Sequence, residues 1–170
     1  MEKERIELRK GDITKIDCGA IVNPSNTSLV LGGGVSGAIA NAAGPAIQKE
    51  MNAIGHCRVG QAVITGAGDL PCEKVIHAVG PMMGEGNEDN KLKSATTESL
   101  KRAEENALSC IAFPAVSAGI FGYPMDRCAA VMIGAVRDYF RANKSSSIEK
   151  VIFCLWGDEA YDIFKLILAR

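Results

Sequence analysis

The chain has 170 residues, 47 % apolar and 23 % charged, which suits one domain with a sizeable core and excludes a disordered or low-complexity chain. Lysine and arginine number 19 against 20 aspartate and glutamate, a net charge of −1. That balance lacks the basic footprint of a nucleic-acid binder and the polybasic signal for an anionic membrane. Met1 to Arg5 is charged with no apolar segment behind it, and no apolar stretch approaches the length of a membrane span. The expectation is a cytoplasmic protein without a signal peptide.

Arg5 to Arg9 alternates polar and apolar residues, as a half-buried strand does, and Ala20-Ile21-Val22 reads as a buried strand. After a loop from Asn23 to Gly34, Val35, Ala38, Ile39, Ala42 and Ala43 share one helical face. Gly44-Pro45 breaks that helix, and Ala46 to Ile54 starts another. Gln61 to Thr65 and Lys74 to Val79 read as strands, with a turn from Gly66 to Pro71 between them. Met82 to Asn90 is polar and reads as a mobile loop. Leu92, Ala95, Leu100, Ala103 and Ala107 mark a long helix. A strand at Cys110 to Pro114 leads through a Gly-containing loop to a helix with Pro124 in its first turn. Val151 to Leu155 is the last strand, and Asp158 is the expected cap of the last helix. Strands alternate with helices, and four strand runs are apolar throughout, as when both faces are covered. The expected fold is a single α/β domain over residues 1–170. It is a three-layer α/β/α sandwich around a mixed, largely parallel sheet of about six strands. Ligands of such sheets bind beyond the carboxyl ends of the strands.

The six cysteines form no CxxC pair, and the histidines are His56 and His77 alone, which argues against a structural zinc site. Reduced, mostly buried thiols are the expectation. His77, inside the apolar run Val75–Val79, reads as a packed, hydrogen-bonded histidine, and His56 as a loop residue.

Several constellations could carry chemistry. Gly32-Gly33-Gly34-Val35-Ser36-Gly37 opens a helix, whose first-turn N–H groups and dipole favour an anion. It is no Rossmann fingerprint, because about ten loop residues separate it from its strand, and no P-loop, because no Lys-Ser or Lys-Thr follows. Ser117-Ala118-Gly119-Ile120-Phe121-Gly122 offers a second set of backbone donors, so a diphosphate could be clamped from two sides. Ser117 is outside any G-x-S-x-G elbow and is no expected nucleophile. Asn23-Pro24-Ser25-Asn26 supplies turn chemistry, with amides that both donate and accept. Asp12 in Gly11-Asp12-Ile13-Thr14 is either a turn cap or an acceptor for an exocyclic amine. Trp156, the only tryptophan, is either core or a platform for a base.

Together, in order and over essentially the whole chain, these segments resemble the macro domain family. Gly11–Thr14 matches its first motif, and Ala20–Asn26 resembles its I-V-N-A-A-N with Pro-Ser in place of Ala-Ala. Gly32–Val35 with Ala42-Ala43-Gly44, Val75–Pro81 and Phe113–Gly122 match three more, the stretch from Ala112 to Gly122 looking most like archaeal and related stand-alone members. The resemblance implies ADP-ribose binding with no cofactor and no metal. Asp12, beside the Ile13 backbone, would accept the adenine amino group, and Trp156 would stack on the base. Gly33, Gly34 and Val35 would hold one phosphate. Ser117, Ala118, Gly119, Ile120 and Phe121 would wrap the other, with Phe121 also against the distal ribose, and Asn26 would bond the distal ribose hydroxyls. Hydrolysis at the distal ribose C1 position is implied, of ADP-ribose 1″-phosphate or of mono-ADP-ribosylated protein, with Asn26, Gly34 and Ser36 as catalytic residues. Many hydrolytic members carry Asp where this chain has Ser36, and a hydroxyl is a poor general base. A non-catalytic ADP-ribose reader is therefore the alternative, and poly(ADP-ribose) or RNA recognition a weaker one. The implied partner is ADP-ribose or an ADP-ribosylated protein, with no membrane, nucleic acid disfavoured by charge, and a monomer as the expected state.

Overall fold

The computed structural model describes residues 4–170; Met1–Lys3, part of the charged N-terminal segment, lie outside the described residues. The alternating N-terminal run forms β1 (Ile6–Lys10), followed by a 3-10 turn at Ile13–Lys15. Then come β2 (Ala20–Pro24), α1 (Gly34–Ala43), α2 (Ala46–Ile54), β3 (Ala62–Gly66) and β4 (Lys74–Ala78). The chain continues through α3 (Glu88–Glu105), β5 (Cys110–Phe113), α4 (Met125–Ala142), β6 (Lys150–Leu155) and α5 (Asp158–Leu168). No helix among the described residues is long and apolar enough to cross a membrane.

The six strands form one sheet in the order β1-β6-β5-β2-β4-β3. All neighbours are parallel except β3 and β4, which run antiparallel. Successive strand residues face opposite layers. Val22, Ile76, Phe113 and Phe153 pack with the apolar stripes of α3, α4 and α5, while Ile21, Val75, Ala112 and Ile152 pack with Ile39, Ile47 and Met51 of α1 and α2. The α/β/α sandwich is thus as expected. β2 pairs with β4 over five positions but with β5 over only two, Ala20 with Ile111 and Ile21 with Ala112. The sheet therefore opens between β2 and β5 toward their carboxyl ends.

Local readings need correction in five places. Cys18 and Cys110 are joined in a disulfide rather than left as free thiols. Cys18 lies just before β2 and Cys110 begins β5, and this pairing brings their Cα atoms to 5.5 Å, within disulfide reach. Cys57, Cys72, Cys128 and Cys154 are free and buried. α3 starts at Glu88, inside the segment read as a mobile loop, and the residues before it are tied down. The Met82 N–H donates to Glu85, the Gly84 N–H to Glu88, and the Met83 N–H to the Phe121 carbonyl. The same helix ends at Glu105, because Ala107 has a left-handed φ of 55°. Pro124 is the N-cap of α4 with an extended ψ of 134°, one residue before the first turn. Asp158 does not cap α5: Gly157 occupies the cap with φ 95°, and Asp158 in the first turn pairs instead with Lys10 at 2.5 Å.

The aromatic centre of one core layer is a row of three rings. Phe113 and Phe153 stand 5.6 Å apart, and Phe153 and Phe164 5.3 Å apart, all fully buried. Across the sheet, on the α1–α2 side, lies a buried polar chain instead. The Nδ2 of Asn23 is 3.0 Å from His77 Nδ1, and His77 Nε2 is 2.9 Å from Thr65 Oγ1. The Thr65 hydroxyl donates onward to the Gly66 carbonyl at 2.9 Å. Asn23 and His77 are fully buried, so each polar atom needs a partner, and the chain supplies one. Burial without a counter-charge pushes His77 from its ordinary 6.5 down to about 4.

These layers have two consequences for stability. Phe164→Ala removes the end of the aromatic row and leaves a cavity. It is expected to lower unfolding free energy by about 3–5 kcal/mol in urea or guanidinium titrations. His77 gives a pH signature. Its folded value lies below its unfolded one, so the unfolded chain binds the proton first. Its contribution to stability is complete above about pH 6.5 and drains away as pH falls to about 4. Between pH 7 and pH 5 the native protein should lose about 2 kcal/mol that His77→Gln does not lose. Equal losses in the two proteins would contradict the buried neutral imidazole.

Candidate functional site

The parallel strands deliver their following loops to one edge, above the opening between β2 and β5. There a cleft of about 710 Å³ is walled by the segments after β1, β2, β4, β5 and β6. Every residue expected to bind or act on the ligand lines it: Asp12 and Ile13 after β1; Asn26, Gly33, Gly34, Val35 and Ser36 from the β2 loop into α1; Ser117, Ala118, Gly119, Ile120 and Phe121 after β5; and Trp156 after β6. Among the described residues, Asp12 is the only charged one in the lining, which contains no Lys, Arg or His.

At one end, the Asp12 carboxylate accepts from the Thr14 N–H at 2.9 Å and the Thr14 hydroxyl at 2.7 Å, both on Oδ1. The Thr14 hydroxyl bond is the main reason that Asp12 is held below its usual carboxylate range. Oδ2 keeps its acceptor capacity. Asp12 is thus both the turn cap and an ionised acceptor in the cleft. Trp156 is 78 % exposed, so it is not core, and its ring forms an open face beside Asp12 at the end of β6.

The middle of the cleft lies between two backbone loops. Gly33 caps α1 without any side-chain bond, and Gly34 has φ 60°, which a side chain would strain. The N–H groups of this first turn have no intrahelical acceptor and carry the positive end of the helix dipole. Opposite, the loop after β5 is shaped by left-handed Ser117 (φ 67°) and Gly122 (φ 77°). It is pinned by the Tyr123 N–H on the Ser117 carbonyl at 2.9 Å and the Gly122 N–H on the Gly119 carbonyl at 3.0 Å. Tyr123, buried behind the loop, donates its hydroxyl to Asp89 of α3, which Arg127 also engages at 2.6 Å. The Ser117 hydroxyl oxygen is buried with no partner among the described residues.

At the far end, the Asn26 amide is bracketed by one backbone residue. Its Nδ2 donates to the Val30 carbonyl, and its Oδ1 accepts the Val30 N–H, each at 3.1 Å. One N–H and one oxygen lone pair remain for a ligand. Ser36, on the first turn of α1, is 7 % exposed and donates its hydroxyl to Asn23 Oδ1 at 2.6 Å.

Three contributors lie outside the sequence-based selection. Asn23 belongs to a segment singled out for its turn chemistry, yet it is buried behind Ser36 at the end of β2. Gly80, just past β4, lines the cleft because nothing larger fits: a Cβ there would sit 2.2 Å from Ser117 Oγ and 2.7 Å from Val116 Cγ1. Cys154 also lines the cleft, and burial pushes its thiol up to about 11. Position at a strand's carboxyl end was the signal available for each.

The chain that builds this cleft is similar in sequence and fold to known proteins. The Macro domain family profile matches residues 22–132. A macro domain-containing protein of Caldanaerobacter subterraneus subsp. tengcongensis is 48 % identical over 168 residues, covering 95 % of this chain and 94 % of the relative. An O-acetyl-ADP-ribose deacetylase of Pantoea vagans is 42 % identical over 170 residues, covering 96 % and 98 % of the two chains. The Trypanosoma brucei macrodomain solved in complex with ADP-ribose superposes with a TM-score of 0.91 at 30 % identity, covering 96 % of this chain and 69 % of that one. On sequence and on fold alike, the chain belongs to the macro domain family.

Proposed function

We propose that this protein binds ADP-ribose in the cleft and hydrolyses derivatives carried at the distal ribose. The observation that carries the reading is the pair of N–H-donating loops at Gly33–Val35 and Ser117–Phe121, facing each other across a cleft that no Lys or Arg among the described residues lines. A diphosphate suits two facing sets of donors and needs no cation, because helix-end and loop N–H groups supply them. Asp12 accepts the adenine amino group, with the Ile13 backbone beside it, and Trp156 stacks on the ring. Phe121 and Asn26 hold the distal ribose, which brings its C1 position against Gly34 and Ser36.

The leaving group at that position is a phosphate, an acyl group or a protein side-chain carboxyl. The deacetylase name of a 42 % identical relative supports the acyl ester in that set. Ser36 is neutral, so the site works by holding water and substrate in line rather than by abstracting a proton with a carboxylate. A reader role without turnover is the second reading, and the same serine favours it. The whole chain acts as one such domain.

Calorimetry with ADP-ribose is the first test. Trp156→Ala removes the stacking face and should weaken binding by about tenfold or more. Asp12→Ala should weaken it by about tenfold or more, as loss of a charged hydrogen bond. Raising salt from about 50 to 200 mM should change the native affinity by less than about threefold, unlike sites that neutralise phosphate with Lys and Arg. Absence of ADP-ribose binding overturns the reading. Turnover is then measured on ADP-ribose 1″-phosphate, O-acetyl-ADP-ribose and a mono-ADP-ribosylated protein. Release no faster than with Asn26→Ala on all three leaves the reader role.

A further inference from the structure

Behind the cleft, the chain from Ser36 to Gly66 alternates donors and acceptors, and the Thr65 hydroxyl sets the direction in which they run. At its far end the Thr65 hydroxyl donates to the Gly66 carbonyl at 2.9 Å. That hydroxyl has a single proton, so toward His77 Nε2 at 2.9 Å it accepts, and Nε2 carries the ring proton. His77 Nδ1 is then bare and accepts from Asn23 Nδ2 at 3.0 Å. The Asn23 amide is thereby turned with Oδ1 toward α1, where the Ser36 hydroxyl donates to it at 2.6 Å. The competing acceptor for that hydroxyl, the Pro24 carbonyl, is at 3.4 Å. Ser36 has spent its only proton inward, so it faces the cleft with oxygen lone pairs alone.

We propose that Thr65, His77 and Asn23 form a positioning relay that holds the Ser36 hydroxyl as a hydrogen-bond acceptor toward the cleft, where it orients the attacking water. The proposal rests on the hydrolytic reading above. It gives a neutral serine the acceptor geometry of a carboxylate without the carboxylate's basicity. The opposite arrangement is chemically available. With the proton on His77 Nδ1, the Asn23 amide turns over, Nδ2 donates to Ser36, and one serine lone pair is lost to the protein. Thr65 decides between the two states, because it is the partner of Nε2. None of the three relay residues lines the cleft, so each acts through Ser36. Neutral His77 is a requirement of the relay, and its burial keeps it so through the physiological range.

The chain contains only His56 and His77, so ring nitrogen NMR of 15N-histidine-labelled protein reads the tautomer directly. The expected native state is the Nε2–H tautomer for His77. Thr65→Val keeps the shape and removes the acceptor, and should convert His77 toward the Nδ1–H tautomer. The same variant should lower kcat about tenfold with KM changed less than about twofold, while Thr65→Ser restores kcat. In a Ser36→Ala background, Thr65→Val should change kcat by less than about twofold, because the relay has nothing left to position. A native Nδ1–H tautomer overturns the proposal without any variant, even if Thr65→Val fails to fold. Equal losses of kcat with and without Ser36 overturn it as well, and leave hydrolysis standing. Absence of turnover by the native protein on every substrate removes the hydrolytic reading and the positioning role together.

Discussion

The structure depends on the parting of β2 and β5. Parallel strands run their carboxyl ends to one edge, and backbone pairing there normally consumes the N–H and C=O groups of neighbouring strands. Here the β2–β5 ladder stops after two positions. The segment after each strand then has to turn outward and to satisfy its own backbone. The β2 loop does so by running into α1, and the β5 loop by closing on itself through Ser117 and Gly122. The N–H groups left over on both sides face the same opening.

This arrangement explains how a chain of net charge −1 can hold an anion. In the proposed binding mode, attraction comes from fixed dipoles, which need no side-chain ordering. Away from the cleft, charged side chains form exposed pairs such as Lys93 with Asp138 and Arg137 with Glu4. Among the described residues, charge appears once in the lining, at Asp12. Rigidity comes from the second tier of contacts. Tyr123 ties the β5 loop to Asp89, Gly80 leaves room for Ser117, and Val30 brackets Asn26. The buried chain behind Ser36 belongs to the same tier.

Much of this was legible in the residues. Periodicity separated strands from helices because each element is covered on a defined face, as with Ile21 and Val75 on one side of the sheet and Val22 and Ile76 on the other. The glycine loops were legible because glycine runs stand out between a strand and a helix, and Gly34 and Gly122 have the positive φ that other residues would strain to adopt. Asp12, Asn26 and Trp156 were less so, since a turn cap, a turn amide and a core indole have the same letters as an adenine acceptor, a ribose ligand and a platform. The resemblance to the family singled them out, and the exposure of Trp156 removed its core reading. The start of α3 was not legible, because Glu85 and Glu88, polar letters in a polar segment, are what hold Met82 and Gly84 in place.

By itself, then, the sequence determined the three-layer class, the loops that matter and the residue types that can meet a nucleotide diphosphate. Those properties are local: apolar period, glycine tolerance and the reach of a cap. Tertiary structure alone decided the rest. It joined Cys18 to Cys110 across 92 positions, paired Lys10 with Asp158, and laid Thr65, His77, Asn23 and Ser36 end to end from four separate segments. The physical reason is that hydrogen-bond direction and burial are properties of neighbours in space. A histidine in an apolar run is a packed residue on paper. Only its two partners reveal which nitrogen holds the proton, and through it which way a serine faces.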